Sequence, residues 1–549
     1  MKIRNCILLM ASFLCMTACD YEDINTSTTG VSDDELKQKG LLYGAPFMAM
    51  QQRVIPIGSP SLTTGPGNDL QNTDLISSGS YIGYFGNNNN WATNPLEATW
   101  HFTEERMVYS YQNFYSTFFQ SWIDIRNKVK DSELPSDLAV AALSDIVKIM
   151  AWSRATDVFG PIAYTRAGQG EISPKFDSQE EVYKAMLAEL ADAVAVLNQA
   201  PSQILPAYDL IYGGNTAQWV KLANSMMLRL AVRTHFKNET LAREYIAKAL
   251  DPANGGVLEA VSDAAKIGDS ALMPLKNSMM PSVEEYGETR MGATIWAYLT
   301  GYDDGRAAKM FTQVEDWYGN PDYEFLPPTN NQAKSESTAG GTSKPIVSDG
   351  SPLYWMRASE VYFLRAEAVL YGLAAGDVKS LYESGVRTSF EEFGATGVDS
   401  YLQKKVLPAD IEYGTCSFNR SYSSNMSTGN TSPCWTDYKT SDQKEEQLQK
   451  IMTQKYLALY PNAVEAWTEY RRTGYPYVAK PADTQAYSRI GAAPDARTPE
   501  RFRFAPSEYQ TNPNMAEIPT LLGGPDQGST PLWLSLIHIS EPTRLLSIS

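Results

Sequence analysis

The chain has 549 residues, of which 43% are hydrophobic and 20% are charged, a composition typical of a globular protein rather than a disordered or fibrous one. Its 63 acidic residues outnumber the 46 basic ones, so the formal net charge is -17. Two of the bases, Lys2 and Arg4, lie at the extreme amino terminus, and the chain beyond residue 18 therefore carries -19. So acidic a body argues against nucleic acid as a partner.

The first residues have the pattern of a secretory signal. Lys2 and Arg4 form a short basic start, and the apolar run over residues 7–15 is too short to cross a bilayer as a permanent helix. The segment ends on Cys19 instead of an Ala-x-Ala site. It therefore resembles a bacterial lipoprotein signal, which is cut before the cysteine, whose thiol is then lipidated.

We predict a signal peptide over residues 1–18, lipidation at Cys19, and a flexible tether over residues 19–40 that is acidic first and Ser/Thr-rich after. Met16 stands where lipoprotein signals usually have Leu, which leaves a plain cleaved signal as the alternative.

Helical periodicity dominates the first half of the chain. Ser178 and Glu181 form a capping-box signature, and an apolar stripe follows it over residues 182–197. A further helix is predicted over residues 217–233. Over residues 105–127 the ring and aliphatic side chains recur every three or four residues, which predicts one buried face: Tyr111, Phe114, Tyr115, Phe118, Trp122 and Ile125.

A second helical block is predicted over residues 353–372, followed by a helix over residues 378–390. With Ala at the crossing points and Gly at the turn, this pair looks like a degenerate tetratricopeptide unit. A long helix over residues 444–459 should end before Pro461, and a short one should cover residues 463–471. The predicted fold is mainly α.

Long polar stretches separate these blocks. Residues 54–95, 319–350 and 412–442 are rich in Gly, Asn, Ser and Pro and are predicted to be loops. Loops of this length in a compact protein are usually functional or mobile. A helical scaffold that presents several polar loops suits ligand capture.

Beyond Cys19 the chain has only two cysteines, Cys416 and Cys434, which bracket a Ser/Asn/Gly-rich segment. In an exported protein this pair predicts a disulfide, with two free thiols as the alternative. No C-x-x-C spacing is present, and the Asp and Asn residues form no recognisable calcium-ligand array. The sequence indicates no cofactor and no metal.

The carboxyl terminus departs from the rest of the chain. Residues 534–544 resemble the translation of a sequencing adapter, so we predict that the native sequence ends near Trp533 and that residues 534–549 are an artefact. A genuine apolar tail is the alternative.

Five strings together resemble the SusD/RagB family of nutrient-binding outer-membrane lipoproteins. They occupy residues 157–164, 215–233, 359–368, 461–476 and 501–508, in the family's order. The most specific is the run from Glu465 through Pro476, Glu-Ala-Trp-Thr-Glu-Tyr-Arg-Arg-Thr-Gly-Tyr-Pro. Residues 41–533 are accordingly identified as one SusD-like domain of the SusD-like branch.

The resemblance implies a tetratricopeptide-like helical scaffold with long loop-rich insertions. It also implies a lipid-anchored protein of Bacteroidota on the outer face of the outer membrane, where the acidic residues after Cys19 look like the family's export signal. Members cap a SusC-like TonB-dependent transporter and help to deliver oligosaccharides, or in some cases peptides.

Most of the family's strings are predicted to be structural. We expect Arg365 and Glu367 to form a local pair, and Glu469, Arg471 and Arg472 to be packing and hydrogen-bonding groups.

Sugar binding needs flat apolar faces for the pyranose ring and polar side chains for its hydroxyls. Residues 68–91 supply both, and Trp91 is the predicted stacking platform. The alternative is that the Trp91 ring only holds its own loop in place. The predicted ligand residues here are Trp91, Tyr84, Asp69, Asp74 and Asn90.

A second predicted set lies in the middle of the chain and comprises Tyr286, Trp317 and Tyr318, with Tyr323 nearby. Tyr422 and Trp435, beside the two cysteines, make a third and weaker set.

The predicted function is oligosaccharide binding without catalysis. Peptide binding in the same fold, with the same transporter partner, is the alternative, and glycoside hydrolysis is a remote one. A glycosidase needs two carboxyl groups about 5 to 9 Å apart across a cleft. With 63 acidic residues, adjacent pairs such as Asp303 and Asp304 are expected by chance.

Overall fold

The computed structural model describes residues 40–57, 69–87, 97–316, 318–329, 341–415, 420–436, 442–483, 485–492 and 496–535. The chain divides into two compact units, residues 1–45 and 46–549. The first unit is described only over residues 40–45. The predicted signal peptide, Cys19 and nearly all of the tether lie outside the described residues.

The α-helices, in chain order, are α1 (Leu41–Val54), α2 (Gly79–Tyr81), α3 (Glu104–Tyr111), α4 (Thr117–Val129), α5 (Pro135–Phe159), α6 (Gln179–Leu197), α7 (Thr216–Thr234), α8 (Glu239–Leu250), α9 (Ala293–Gly301), α10 (Ala307–Met310), α11 (Ala358–Leu370), α12 (Val378–Phe393), α13 (Val398–Tyr401), α14 (Asp442–Leu459), α15 (Ala463–Thr473), α16 (Gln485–Arg489), α17 (Pro506–Thr511) and α18 (Ile518–Leu522). Three π-helical segments cover Gln71–Ser78, Gln112–Ser116 and Pro281–Glu285, and short 3-10 helices cover Glu97–Thr99, Pro252–Asn254, Val261–Asp263 and Pro513–Glu517.

The strands form small two-stranded antiparallel sheets. The strands are β1 (Phe85–Asn87), β2 (Ala265–Ile267), β3 (Thr289–Met291), β4 (Val314–Glu315), β5 (Pro321–Asp322), β6 (Leu353–Met356), β7 (Ile411–Thr415) and β8 (Arg420–Ser424). The pairs are β1 with β3, β2 with β6, β4 with β5, and β7 with β8.

The longest helix, α5, lies at the centre of the helical scaffold. It starts with Pro135 in its first turn, where a missing N–H is harmless, and ends at Gly160, whose φ of 85° suits glycine. Helices α4 and α6 pack on α5, α6 packs on α7, and α7 packs on α8. Further along the chain α11 packs on α12 and α14. The predictions of a mainly α fold and a tetratricopeptide-like scaffold are confirmed.

The helix predictions for the first half hold in detail. Ser178 caps α6 with a reciprocal capping box, its side chain and that of Glu181 each bonding the other's backbone N–H. The helix predicted over residues 105–127 is α3 and α4 joined by a π-helical segment, and its predicted face is buried except for half-buried Tyr115.

Some boundaries differ from the predictions. Residues 353–356 are not helical, because they form β6 and pair with β2, almost 90 residues earlier in the chain; the helix begins at Ala358. The predicted loop over residues 54–95 contains a π-helical segment, in which hydroxyls such as that of Ser77 bond the backbone carbonyl of Thr73 (2.8 Å). Residues 412–415 and 420–424 lie in the paired strands β7 and β8 rather than in a loop.

Residues 534 and 535 pack against the body. The N–H of Leu534 donates to Gln179 Oε1 (3.2 Å), and the hydroxyl of Ser535 donates to Glu500 Oε2 (2.8 Å). Residues 536–549 lie outside the described residues, and the artefactual origin of residues 534–549 stays a prediction.

A buried network of ion pairs holds the scaffold helices together. Arg233 of α7 is fully buried and donates to Asp157 of α5 (2.8 Å), to Glu469 of α15 (2.8 Å) and to Glu465. Arg472 of α15 makes a bidentate contact with Glu367 of α11 (2.6 and 2.7 Å). We call this network the ion hub; its members are Asp157, Arg229, Arg233, Glu360, Glu367, Lys455, Glu465, Glu469 and Arg472.

The ion hub corrects one prediction and confirms another. Arg365 and Glu367 do not pair with each other, because they leave α11 in different directions: Arg365 contacts Glu259 (2.6 Å), whereas Glu367 is fully buried against Arg472. Glu469, Arg471 and Arg472 are buried structural groups, as predicted.

The charges in the ion hub shift the titration of its carboxyl groups. Burial alone would raise the pKa of Glu367, but the Arg472 guanidinium and the His235 contact lower it to about 2. Asp157 behaves in the opposite way, because burial outweighs its contact with Arg233 and raises its pKa to about 6.

Replacing Arg233 tests the ion hub. Arg233→Leu leaves buried carboxylates without their partner, so we expect a loss of about 3–5 kcal/mol in the free energy of unfolding, measured by urea denaturation. The matched control is Arg387→Leu, which removes an exposed pair with Asp399 and should cost at most about 1 kcal/mol. Equal effects of the two substitutions would contradict a stabilising role for the hub.

The low pKa of Glu367 predicts a pH dependence. A carboxyl whose folded-state pKa lies below its unfolded value stabilises the fold above the unfolded pKa and loses that contribution as the pH falls towards the folded value. We expect the stability difference between wild type and Glu367→Gln to shrink between pH 4.5 and pH 2. The pKa shift bounds that change at about 3 kcal/mol. A pH-independent difference for Glu367→Gln would contradict the assignment.

Candidate functional site

Two segments that carry predicted ligand residues meet through the pairing of β1 with β3. The register places Phe85 opposite Met291, Gly86 opposite Arg290 and Asn87 opposite Thr289. The carboxyl end of β1 therefore lies beside β3, which follows Tyr286 in the chain. No sequence pattern indicates this pairing, because about 200 residues separate the two strands.

A third segment joins the same place. The N–H of Leu326 donates to the carbonyl of Met291 (2.9 Å), and that of Met291 donates to the carbonyl of Ser343 (2.9 Å). Gly86 lies so close to Leu326 that a Cβ added to Gly86 would overlap the Cβ of Leu326. We call the assembled region the loop face, defined by residues 85–87, 284–291, 312–316, 318–326 and 343–344.

The β4–β5 hairpin presents an exposed tyrosine on the loop face. Asp316 holds the hairpin tip, because its carboxylate accepts the backbone N–H groups of Tyr318 (2.8 Å) and Asn320 (2.7 Å). The hydrogen bond from the Asn320 backbone is the main cause of a lowered pKa of Asp316. The side chain of Tyr318 is 86% exposed, so its ring is open to a ligand.

The same segments carry several carboxylates. Burial, and after it the neighbouring charges of Asp322 and Asp316, raise the pKa of Glu324. Glu284 is paired with Lys344 (2.7 Å), and Tyr286, two residues on, is half-buried. The loop face thus combines exposed or partly exposed tyrosines with hydrogen-bond acceptors, which is the chemistry that a polyhydroxylated ligand requires.

Two of the predicted ligand residues lie in the interior. Tyr84 is fully buried, its ring stacks on that of Tyr456 with a centroid distance of 4.6 Å, and its hydroxyl donates to the Tyr456 carbonyl. Asp74 is buried in an ion pair with Arg154, and burial raises its pKa. Neither side chain reaches a surface ligand, because both are buried: Asp74 lies in the π-helical segment and Tyr84 directly precedes β1.

Asp69 is also largely buried, but it belongs to a surface cluster. Its carboxylate accepts a hydrogen bond from Arg53 Nη1 (3.0 Å) and contacts the hydroxyl of Tyr109. Burial, and after it this carboxylate, raise the pKa of Tyr109. Tyr109 is 37% exposed, because its position lies outside the buried face of α3.

The remaining predicted residues are distributed as follows. Asn90, Trp91, Trp317 and Cys416 lie outside the described residues, so the stacking platform and the disulfide stay predictions. Cys434 is half-buried, with its Sγ 3.5 Å from the Trp435 carbonyl. Tyr422 and Trp435 are largely buried, so the third predicted set offers little ring surface to a ligand.

In the part of the chain that the structure describes, no three His, Cys, Asp or Glu side chains converge as a metal site. No helix among the described residues reaches the length and hydrophobicity that a membrane crossing requires.

A helical scaffold that carries a loop-rich face also occurs in a known class of binding proteins. The model of the family "Susd and RagB outer membrane lipoprotein" matches residues 23–535, and this chain belongs to that SusD-like family. No curated protein matches the chain.

Several solved structures are similar over nearly their whole length. BT1043 is 60% identical, with 90% of this chain and 98% of that chain covered and a TM-score of 0.86. A SusD homologue from Bacteroides uniformis is 31% identical over 90% and 99% of the two chains, with a TM-score of 0.79. A chitin-binding SusD homologue from Flavobacterium johnsoniae is 29% identical over 90% and 99%, with a TM-score of 0.78.

The close approach of Gly86 to Leu326 can be tested by substitution. Gly86→Ala forces β1 away from residue 326, and we expect a loss of about 1–3 kcal/mol in unfolding free energy by thermal or urea denaturation. Gly268→Ala is the control, because a Cβ there meets no atom within 4 Å. If Gly86→Ala were as stable as Gly268→Ala, the described packing of the loop face would be wrong.

Proposed function

We propose that this protein is a cell-surface lipoprotein, anchored through lipid at Cys19 to the outer face of the outer membrane, that binds oligosaccharides and delivers them to a SusC-like TonB-dependent transporter. The observation that carries the proposal is the family match over residues 23–535, together with the similarity to a chitin-binding homologue. The protein acts by binding, without catalysis.

The loop face supports oligosaccharides as the ligand class. A pyranose ring presents C–H groups that pack on an exposed aromatic ring such as Tyr318, while its hydroxyls donate to carboxylates such as Asp322 and Glu324. Tyr286 adds a second, half-buried ring on the same face. Trp91, which follows β1 in the sequence, is the stacking residue that the sequence predicts.

Calorimetric titration of the protein without its signal peptide tests the ligand class. The titrants are chito-oligosaccharides, other neutral oligosaccharides and a peptide mixture. Saturable binding of an oligosaccharide with no product released supports the proposal. Binding of peptides alone would support peptide uptake instead, and hydrolysis of a bound glycan would contradict a purely binding role.

The predicted contact residues are tested on whichever glycan binds. We expect Tyr318→Ala and Trp91→Ala each to weaken binding about tenfold, which corresponds to roughly 1.4 kcal/mol. Tyr509→Ala, which removes an exposed tyrosine outside the loop face, should leave the affinity unchanged. Unchanged affinity in both Tyr318→Ala and Trp91→Ala would place the ligand elsewhere.

A further inference from the structure

The strand pairing of the β4–β5 hairpin does little to hold the hairpin tip in place. Each strand is only two residues long, and the register sets Val314 opposite Asp322 and Glu315 opposite Pro321. Pro321 has no N–H, so this short ladder lacks one of its donors. Because a two-stranded hairpin by itself is marginally stable in water, the conformation of the tip depends on contacts beyond the pairing.

Asp316, at the end of β4, supplies those contacts. Its Oδ1 accepts the backbone N–H groups of both Tyr318 (2.8 Å) and Asn320 (2.7 Å), and its Oδ2 accepts from the Asn320 side chain (3.2 Å). The Asp316 backbone closes the same turn, because its N–H donates to the Asn320 carbonyl (2.8 Å) and its carbonyl accepts from the N–H of Gly319 (3.0 Å). Asp316 thus ties residues 318–320 to the end of β4.

The Tyr318 ring has no packing of its own that would direct it. Tyr318 is 86% exposed, and among the residues that the structure describes no aromatic ring or cation packs against it. Gly319, the next residue, has a φ of 82°, and a Cβ added to it would meet no atom within 4 Å. The direction of the Tyr318 ring therefore follows from the backbone of the tip, which Asp316 fixes.

A ring that is in place before the ligand arrives binds more tightly than one that must be ordered by the ligand. Ordering a free segment on binding costs conformational entropy, whereas a tip that is fixed in the folded protein has lost that entropy already. Tyrosine suits this use because its ring is rigid and has few rotatable bonds.

We propose that Asp316 is a positioning residue for oligosaccharide binding: its carboxylate fixes the hairpin tip so that the Tyr318 ring stands open to the pyranose ring of the ligand. The inference rests on the proposed function, and adds to it a residue that acts on the ligand through another. The hydrogen bonds from the tip occupy both carboxylate oxygens, so Asp316 works through Tyr318 and not as a ligand contact.

The ionisation of Asp316 keeps this arrangement intact. The hydrogen bond from the Asn320 backbone is the main cause of the lowered pKa of Asp316. The carboxylate consequently stays charged, and keeps accepting the N–H groups of the tip, at mildly acidic pH.

Hydrogen–deuterium exchange of the full protein without ligand tests the positioning. In Asp316→Ala the backbone N–H groups of Tyr318 and Asn320 lose their acceptor, so we expect peptides that contain these residues to exchange at least about tenfold faster. Asp316→Asn keeps the Oδ1 acceptor and should exchange at nearly the wild-type rate. The melting temperature should stay within about 2 °C of wild type in both variants, because the hairpin tip lies at the surface.

Calorimetric titration tests the effect on the ligand. It uses the oligosaccharide from the panel of chito-oligosaccharides and other neutral oligosaccharides that saturates the wild-type protein. We expect Asp316→Ala to bind about fivefold more weakly and Asp316→Asn to restore most of the affinity. Because Asp316 acts through Tyr318, the double variant with Tyr318→Ala should bind no more weakly than Tyr318→Ala alone.

Asp410 provides the matched control. It is an exposed aspartate outside the loop face, its carboxylate accepts the backbone N–H groups of Met426 and Ser427 (both 2.8 Å), and these bonds lower its pKa as they do for Asp316. Asp410→Ala removes the same kind of contact, and should leave both the exchange of the β4–β5 tip and the affinity for the oligosaccharide unchanged.

Each outcome decides the proposal. Faster exchange at the tip, weaker binding and a non-additive double variant support it. The proposal is overturned, with the proposed function intact, if the oligosaccharide binds wild type and Asp316→Ala equally, if the effects of Asp316→Ala and Tyr318→Ala simply add, or if Tyr318→Ala has no effect. If no oligosaccharide binds the wild-type protein, the proposed function fails and this inference fails with it.

Discussion

The ion hub is the constraint on which the rest of the structure depends, because it is where the chain's most distinctive strings meet. Asp157 comes from the string at residues 157–164, Arg233 from that at 215–233, Glu367 from that at 359–368, and Arg472 from that at 461–476. A buried charge without its partner is costly, so each string needs the other three. Family resemblance in this chain is therefore largely a record of one buried electrostatic network.

The scaffold that the hub fixes leaves the loop face available. The loop face is assembled from segments far apart in sequence, through the pairing of β1 with β3 and the backbone contacts of Leu326. Loops can vary there without disturbing the hub, which is how one fold can serve several ligands.

The candidate site was only partly predictable. Tyr318, one of the mid-chain residues predicted from the family resemblance, is exposed at a hairpin tip, and its contact with a ligand stays a prediction. Tyr84 and Asp74 were misplaced, because a polar, glycine-rich sequence is typical of a surface loop. Here the π-helical segment buries Asp74 in an ion pair with Arg154, and the ring of Tyr84 packs on that of Tyr456. Asp69 contacts Arg53 and Tyr109, partners that only the folded chain brings beside it.

The sequence by itself determined the mainly α fold, most helix positions and caps, and the family, because these depend on local periodicity, on capping chemistry and on long specific strings. Only the tertiary structure decided which charges pair, as with Glu367 and Arg472, and which polar residues face inward, as with Asp74. Ion pairing and burial depend on contacts between residues far apart in the chain. No local pattern contains them.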